Sequence, residues 1–254
     1  FQVGEPDAAQ REALQRDLGV HTTSANERAI AGAQLVVLAV KPQQLRALLE
    51  PLRSALQEQR PLLLSIVAGV RLGDLARLCP GVPVVRCMPN RAALVGAGIT
   101  ALYAPEQLDH TRRALAERAM AAAGGTVWVK KESDLDIVTA LSGSGPAYFF
   151  LLAEQMAAAA RELGLESATA ELLARETLRG AGALLAGPES LAEQRVAVTS
   201  KGGTTAAALG VLAERAFGAT IAAAVVAASR RSEQLAQQFG SDDPVASAAA
   251  PAAQ

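Results

Sequence analysis

The chain has 254 residues, 24 Lys and Arg against 25 Asp and Glu, and a formal net charge of −1. That length suits one large domain or two modest ones, while balanced charge without a basic run excludes an electrostatic footprint for nucleic acid. Half of the residues are apolar but only 3% are aromatic, an Ala, Leu and Val mix that favours packed helices over a sandwich or a base-stacking surface.

In chain order, Phe1-Gln2-Val3 reads as the end of a strand. A chain that opens inside an element is expected to have lost its beginning; the alternative is a short native start with a frayed edge strand. Gly4-Glu5-Pro6-Asp7 turns the chain, and a helix over about Ala8 to Leu18 ends at Gly19. The continuous apolar runs Leu35 to Val40 and Leu62 to Val67 suit strands covered on both faces. Helices are expected over about Gln43 to Leu56 and Leu72 to Leu78, with further strands over Val82 to Met88 and Gly98 to Tyr103. A helix over about Glu106 to Ala123 then leads to a strand over Thr126 to Lys130. This alternation predicts an α/β domain with a largely parallel sheet.

Beyond Glu132 the strand-like runs stop. Alanine-rich helices are expected over about Pro146 to Gly164, Ser167 to Leu185, Ser190 to Val198 and Thr205 to Gln238. The organisation read here is an incomplete Rossmann-like domain over residues 1–132, an all-α domain over 133–240 and a disordered tail over 241–254. Small residues among the large ones on the helices suit either self-association or an internal core. Cys79 and Cys87 are too few for a disulfide framework and, with two distant histidines, make no recognisable zinc site. A reducing, cytoplasmic compartment is expected. A stretch of about 18 apolar residues and a charged-then-apolar leader are both lacking, so membrane and secreted classes are set aside.

An α/β layer ahead of a helical domain suggests a dinucleotide enzyme, yet the G-x-G-x-x-G turn is absent between the first strand and the first helix. If Phe1 to Val3 ends a second strand, Glu5 stands where an adenosine ribose is read, which favours NAD over NADP; a solvated turn glutamate is the other reading. Ala39-Val40-Lys41-Pro42 ends a strand where open α/β sheets bind ligands. Arg86-Cys87-Met88-Pro89-Asn90 marks another strand end, or a plain turn. Ser142-Gly143-Ser144-Gly145-Pro146-Ala147-Tyr148 permits close backbone approach but is no nucleophile elbow, because Ser142 occupies the position of the first glycine. Thr199-Ser200-Lys201-Gly202-Gly203-Thr204-Thr205 gathers N–H and O–H donors before a helix, which suits a carboxylate or phosphate. A helix cap is the alternative, though one Ser or Thr would be enough for that.

Together with Ser24-Ala25-Asn26 and Asp136 through Tyr148, these stretches resemble the pyrroline-5-carboxylate reductases, in family order from Phe1 to about Gln238. The resemblance implies reduction of 1-pyrroline-5-carboxylate to L-proline, the last step of proline biosynthesis, by hydride transfer from NADPH or NADH. It further implies a Rossmann domain, a helical dimerisation domain and often a decamer of five dimers. By position, Asn26 would contact the adenosine portion of the cofactor, and Ala39, Val40, Lys41, Pro42 and Ala68 would line the dinucleotide groove. Ser200, Gly203, Thr204 and Thr205 would hold the substrate carboxylate, with Thr205 also near the ring nitrogen as the catalytic candidate. No metal is implied. Departures are the absent glycine turn, Arg91-Ala92 in place of Thr-Pro, and Lys201 in place of Pro. A non-catalytic self-associating homologue is the competing reading, and a β-hydroxyacid dehydrogenase relative is disfavoured by the 199–205 loop.

Overall fold

Short apolar runs set the first half of the chain into strands. The computed structural model describes residues 1–241. Its elements begin with β1 (Gln2–Gly4), α1 (Ala8–Leu18), β2 (His21–Thr23), α2 (Asn26–Ile30), β3 (Leu35–Leu38) and α3 (Pro42–Gln59). They continue with β4 (Leu62–Ser65), α4 (Leu72–Leu78), β5 (Val84–Met88), a 3-10 turn at Arg91–Val95, β6 (Gly98–Tyr103), α5 (His110–Ala121) and β7 (Gly124–Trp128). Helices follow: α6 (Asp134–Val138), a π turn at Thr139–Gly143, α7 (Gly145–Glu162), α8 (Ser167–Leu184), α9 (Leu191–Ala197), α10 (Thr204–Glu214) and α11 (Phe217–Ser241).

Local chemistry fixes several boundaries. The Asp7 carboxylate accepts the Gln10 N–H at 2.9 Å, and Gly19, at φ 64°, closes α1 in the left-handed conformation. Leu45, Leu49, Leu52 and Leu56 recur at helical spacing, so α3 presents one buried apolar stripe. On β4 the side chains alternate: Leu63 joins that stripe, while Leu62 and Leu64 join Val85, Cys87, Leu102 and Ala116 on the opposite face of the sheet. Each fully buried leucine stabilises the fold by about 1.5–3 kcal/mol.

The sheet differs from the expectation in two respects. β3, β4 and β5 pair in parallel, as do β6 and β7, but β5 and β6 run antiparallel. The strands also divide into a β1-β2 pair and a five-stranded sheet ordered β3-β4-β5-β6-β7. β1 and β3 are therefore edges, and Val37 on β3 is 44% exposed. β3 stops at Leu38, so Ala39 and Val40 leave the strand as loop. β2 and α2 are too short for periodicity to disclose. The long helix expected over Thr205 to Gln238 is broken between α10 and α11, where Ala216 adopts φ 54°.

Among the described residues two compact units form: Phe1–Thr139 together with residues 229–241, and Ala140–Ala228. The helical segment read as 133–240 is thus shared. Asp134 to Thr139 and the end of α11 belong to the α/β unit, because Ser232 and Ala236 are buried there and Phe239 packs on its core. Ser241 closes α11, and the rest of the tail read as disordered lies outside the described residues. The second unit has a small core of its own, Ala157, Ala170 and Ala174, where α7 meets α8. Large side chains face outward instead: Phe149, Phe150, Leu172 and Leu184 are each more than half exposed. By length and mean hydropathy (1.3), the run Asp134–Glu162 is apolar enough to cross a membrane, with 22% of its most apolar stretch buried.

Both cysteines are buried and free. Burial pushes the Cys87 thiol up to about 12 and raises that of Cys79 as well, in each case against the smaller opposing pull of an arginine. Native protein at pH 8 should therefore resist alkylation, with labelling appearing only on unfolding, as mass spectrometry after iodoacetamide would read. A raised folded-state value also means that stability is retained below the ordinary thiol value of 9.0 and falls as the pH climbs from there towards about 12.

Candidate functional site

The residues assigned to a dinucleotide lie beyond the carboxyl ends of strands. Leu38 pairs with Ser65, and Ser65 with Arg86, so β3, β4 and β5 end on one edge of the sheet. Ala39 and Val40 leave that edge, Lys41 is the N-cap of α3 and Pro42 is its first residue. The Lys41 side chain does not cap α3; Pro42 has no N–H, and the Gln44 N–H donates to the Lys41 carbonyl at 2.9 Å. Ala68 follows β4 by three residues and is exposed, next to Gly69 at φ 72°. Asn26 opens α2, and its Oδ1 lies where a Cβ on Gly4 would collide, so the amide sits against the carboxyl end of β1. Glu5 is engaged in its turn: one carboxylate oxygen accepts the Asp7 N–H at 2.9 Å.

The second strand-end motif divides. Arg86 is buried and donates to Glu132 Oε1 at 2.8 Å, while Asn90 Oδ1 accepts the Ile99 N–H at 3.2 Å. These are structural tasks, and Asn90 ties the loop back to β6.

The donor-rich stretch lies in the other unit. Thr199 Oγ1 donates to the Arg195 carbonyl at 2.6 Å, so that hydroxyl is spent on the end of α9. Ser200, Lys201 and Gly202 turn the chain, Gly203 is the N-cap of α10, and Thr204 and Thr205 fill its first turn. A Cβ on Gly203 would collide with Ser200 Oγ, so the hydroxyl rests on the glycine. No side chain caps α10. A loop built only as a cap would use one of its hydroxyls for that, and here none does so; Thr205 is half-buried in the first turn of the helix. In the other motif, Pro146 stands in the first turn of α7, and Tyr148 Oη donates to the Ala140 carbonyl at 3.1 Å, closing the π turn.

Sequence reading missed a buried polar group in the α/β unit. Asp136 accepts from both Arg71 Nη2 and Ser232 Oγ at 2.7 Å, and Glu132 Oε1 accepts the Leu72 N–H at 2.6 Å. These residues lie far apart along the chain, from Arg71 to Ser232, so no local pattern discloses them. Among the described residues no cluster of His, Cys, Asp and Glu suits a metal ion.

A parallel-stranded α/β layer with loop residues gathered at its carboxyl edge defines a Rossmann-like protein, here followed by a helical dimerisation-type domain. Residues 132–235 match the family described as pyrroline-5-carboxylate reductase dimerisation, and residues 1–69 the family described as NADP oxidoreductase, coenzyme F420-dependent. A pyrroline-5-carboxylate reductase of Pseudomonas aeruginosa is 40% identical over 94% of this chain and 88% of its own length. The structure of such a reductase from Coxiella burnetii superimposes with a TM-score of 0.88 at 38% identity, covering 92% of this chain and 87% of that one. The Plasmodium falciparum enzyme, solved with NADP bound, gives 0.74 at 28% identity, covering 85% and 82%. The chain belongs to the pyrroline-5-carboxylate reductase family.

Proposed function

We propose that the protein reduces 1-pyrroline-5-carboxylate to L-proline with NADPH or NADH. The observation that carries this reading is the uncapped N-terminus of α10 behind Ser200 and Gly203, within a chain 40% identical to reductases of that name. Asn26, Ala39, Val40, Lys41, Pro42 and Ala68 bind the dinucleotide, at the strand ends where α/β sheets take such ligands. Ser200, Gly203, Thr204 and Thr205 hold the substrate carboxylate, and Thr205 also supports the ring nitrogen. The bound nicotinamide supplies the hydride. A protonated cyclic imine is already electrophilic, so the residues' task is orientation rather than acid–base chemistry, in keeping with the lack of His or paired carboxylates in these motifs. The test is loss of reduced nicotinamide absorbance that depends on 1-pyrroline-5-carboxylate, with proline identified as product. A chain that binds neither reactant and only self-associates would establish the non-catalytic alternative. A cytoplasmic setting fits this chemistry.

For assembly we propose a homodimer through the helical unit, with five dimers forming a decamer as the larger particle. Support comes from the exposed Phe149, Phe150 and Leu172 on α7 and α8 around a core of three alanines. Light scattering should give at least the dimer mass for the full chain. Phe150→Asp should weaken the association by about a hundredfold or more, since it places an unpaired charge in a desolvated apolar contact. An unchanged mass at micromolar concentration would overturn this role for the α7 face.

A further inference from the structure

We propose that Ser232, near the end of the last helix, is a positioning residue for the Ala68-Gly69 turn, acting through Asp136 and Arg71. The proposal rests on the assignment of that turn to the dinucleotide. Asp136 has a side chain only 4% exposed, and its two oxygens are divided between distant partners. Oδ1 accepts from Ser232 Oγ and Oδ2 from Arg71 Nη2, both at 2.7 Å. A buried carboxylate without such donors would be costly, so the three residues stand or fall together.

Arg71 in turn ends the segment that leaves β4. Its own N–H is held by Asp74 Oδ2 at 3.0 Å, and the next N–H, of Leu72, by Glu132 Oε1 at 2.6 Å. The apex of the turn is Gly69, at φ 72°, a backbone conformation that glycine adopts without strain. A Cβ built there would lie 3.5 Å from the Leu235 carbonyl carbon and Cβ and 3.6 Å from the Ala236 nitrogen. The backbone of α11 therefore lies directly behind the turn that carries Ala68.

Ser232, Leu235, Ala236 and Phe239 recur at helical spacing; Ala236 is buried, and Phe239 packs on the α/β core. Apolar contact is tolerant of small rotations and slides. A 2.7 Å hydrogen bond from Ser232 to a buried carboxylate is not, so it sets the register of α11 against the turn. Ser232 Oγ is engaged with Asp136, and Asp136 with Arg71, so the effect on the turn is one of positioning.

The test compares Ser232→Ala and Ser232→Thr with the parent chain, by peptide-resolved hydrogen exchange and by NADPH titration. Ser232→Ala should speed exchange about tenfold in residues 69–72 and 232–240 alone, and raise the NADPH dissociation constant about five- to tenfold, less than the loss of a direct hydrogen bond to the ligand because the effect reaches the cofactor only through the turn. The KM for 1-pyrroline-5-carboxylate at saturating NADPH should stay unchanged. Ser232→Thr, which keeps the hydroxyl, should restore both values. Faster exchange across the whole α/β unit would signal general destabilisation and overturn the proposal, as would an unchanged dissociation constant or a failure of Thr to rescue. If NADPH at saturating, millimolar concentration protects neither residues 39–42 nor 68–71 of the parent chain, the cofactor assignment itself fails; unchanged exchange in Ser232→Ala with NADPH still bound sinks the role of Ser232 alone.

Discussion

A version of the chain with one further strand and a glycine-rich turn placed ahead of Phe1 should bind NADPH about a hundredfold more tightly than residues 1–254. Among the described residues β1 pairs with β2 alone and β3 with β4 alone, each in parallel, so both have an unpaired edge. A single parallel strand paired to both would join the two sheets. The turn at its carboxyl end would then present backbone N–H groups and a helix N-terminus to the pyrophosphate. Hydrogen bonds to charged groups contribute about 1.5–3 kcal/mol each. Two of them amount to at least two orders of magnitude in the dissociation constant. Calorimetric titration of both chains measures the difference. Micromolar NADPH binding by residues 1–254 would show that the loops at Ala39 to Pro42 and Ala68 are enough by themselves.

Thr205→Ala should lower kcat/KM for 1-pyrroline-5-carboxylate by about ten- to a hundredfold, the effect of one lost hydrogen bond to a charged group. The NADPH dissociation constant should hardly change. Thr205 lies in the first turn of α10, where no side chain caps the helix, so its hydroxyl is available to a bound carboxylate. Thr199 provides the internal comparison. Its hydroxyl already donates to the Arg195 carbonyl at 2.6 Å, so Thr199→Ala should cost a few-fold at most. Steady-state kinetics with both reactants varied separates the two cases. If the two substitutions have equal effects, or if Thr205→Ala weakens NADPH instead, the loop does not hold the carboxylate.

Much of this could be read directly from the residues, for a physical reason. The continuous run Leu62-Leu63-Leu64 suits a strand buried on both faces, and β4 is that strand. Leu45, Leu49, Leu52 and Leu56 repeat with the helical period, and Asp7 and Gly19 are the residues that begin and end a helix. The loop 199–205 also stood out, because so many donors exceed what a cap requires. Elements set by neighbours rather than by local pattern were not legible. β2 and α2 are too short to carry a period, and the antiparallel β5-β6 pair depends on where the chain returns. At the break between α10 and α11 it is Ala216, and not the nearby Gly218, that takes the positive φ, so residue type does not announce its place.

Local propensity and periodicity act over a few residues, so the sequence by itself determined the α/β half and the helical half, and it singled out the stretches proposed to bear the chemistry. The tertiary structure decided what depends on distant residues meeting. It divided the strands into two sheets with β1 and β3 at the edges, and it gave the end of α11 to the α/β unit. It also brought Arg71, Asp136 and Ser232 to one buried carboxylate. No window along the chain contains those three residues, and a charge that is costly alone becomes stable only where the fold delivers both of its donors.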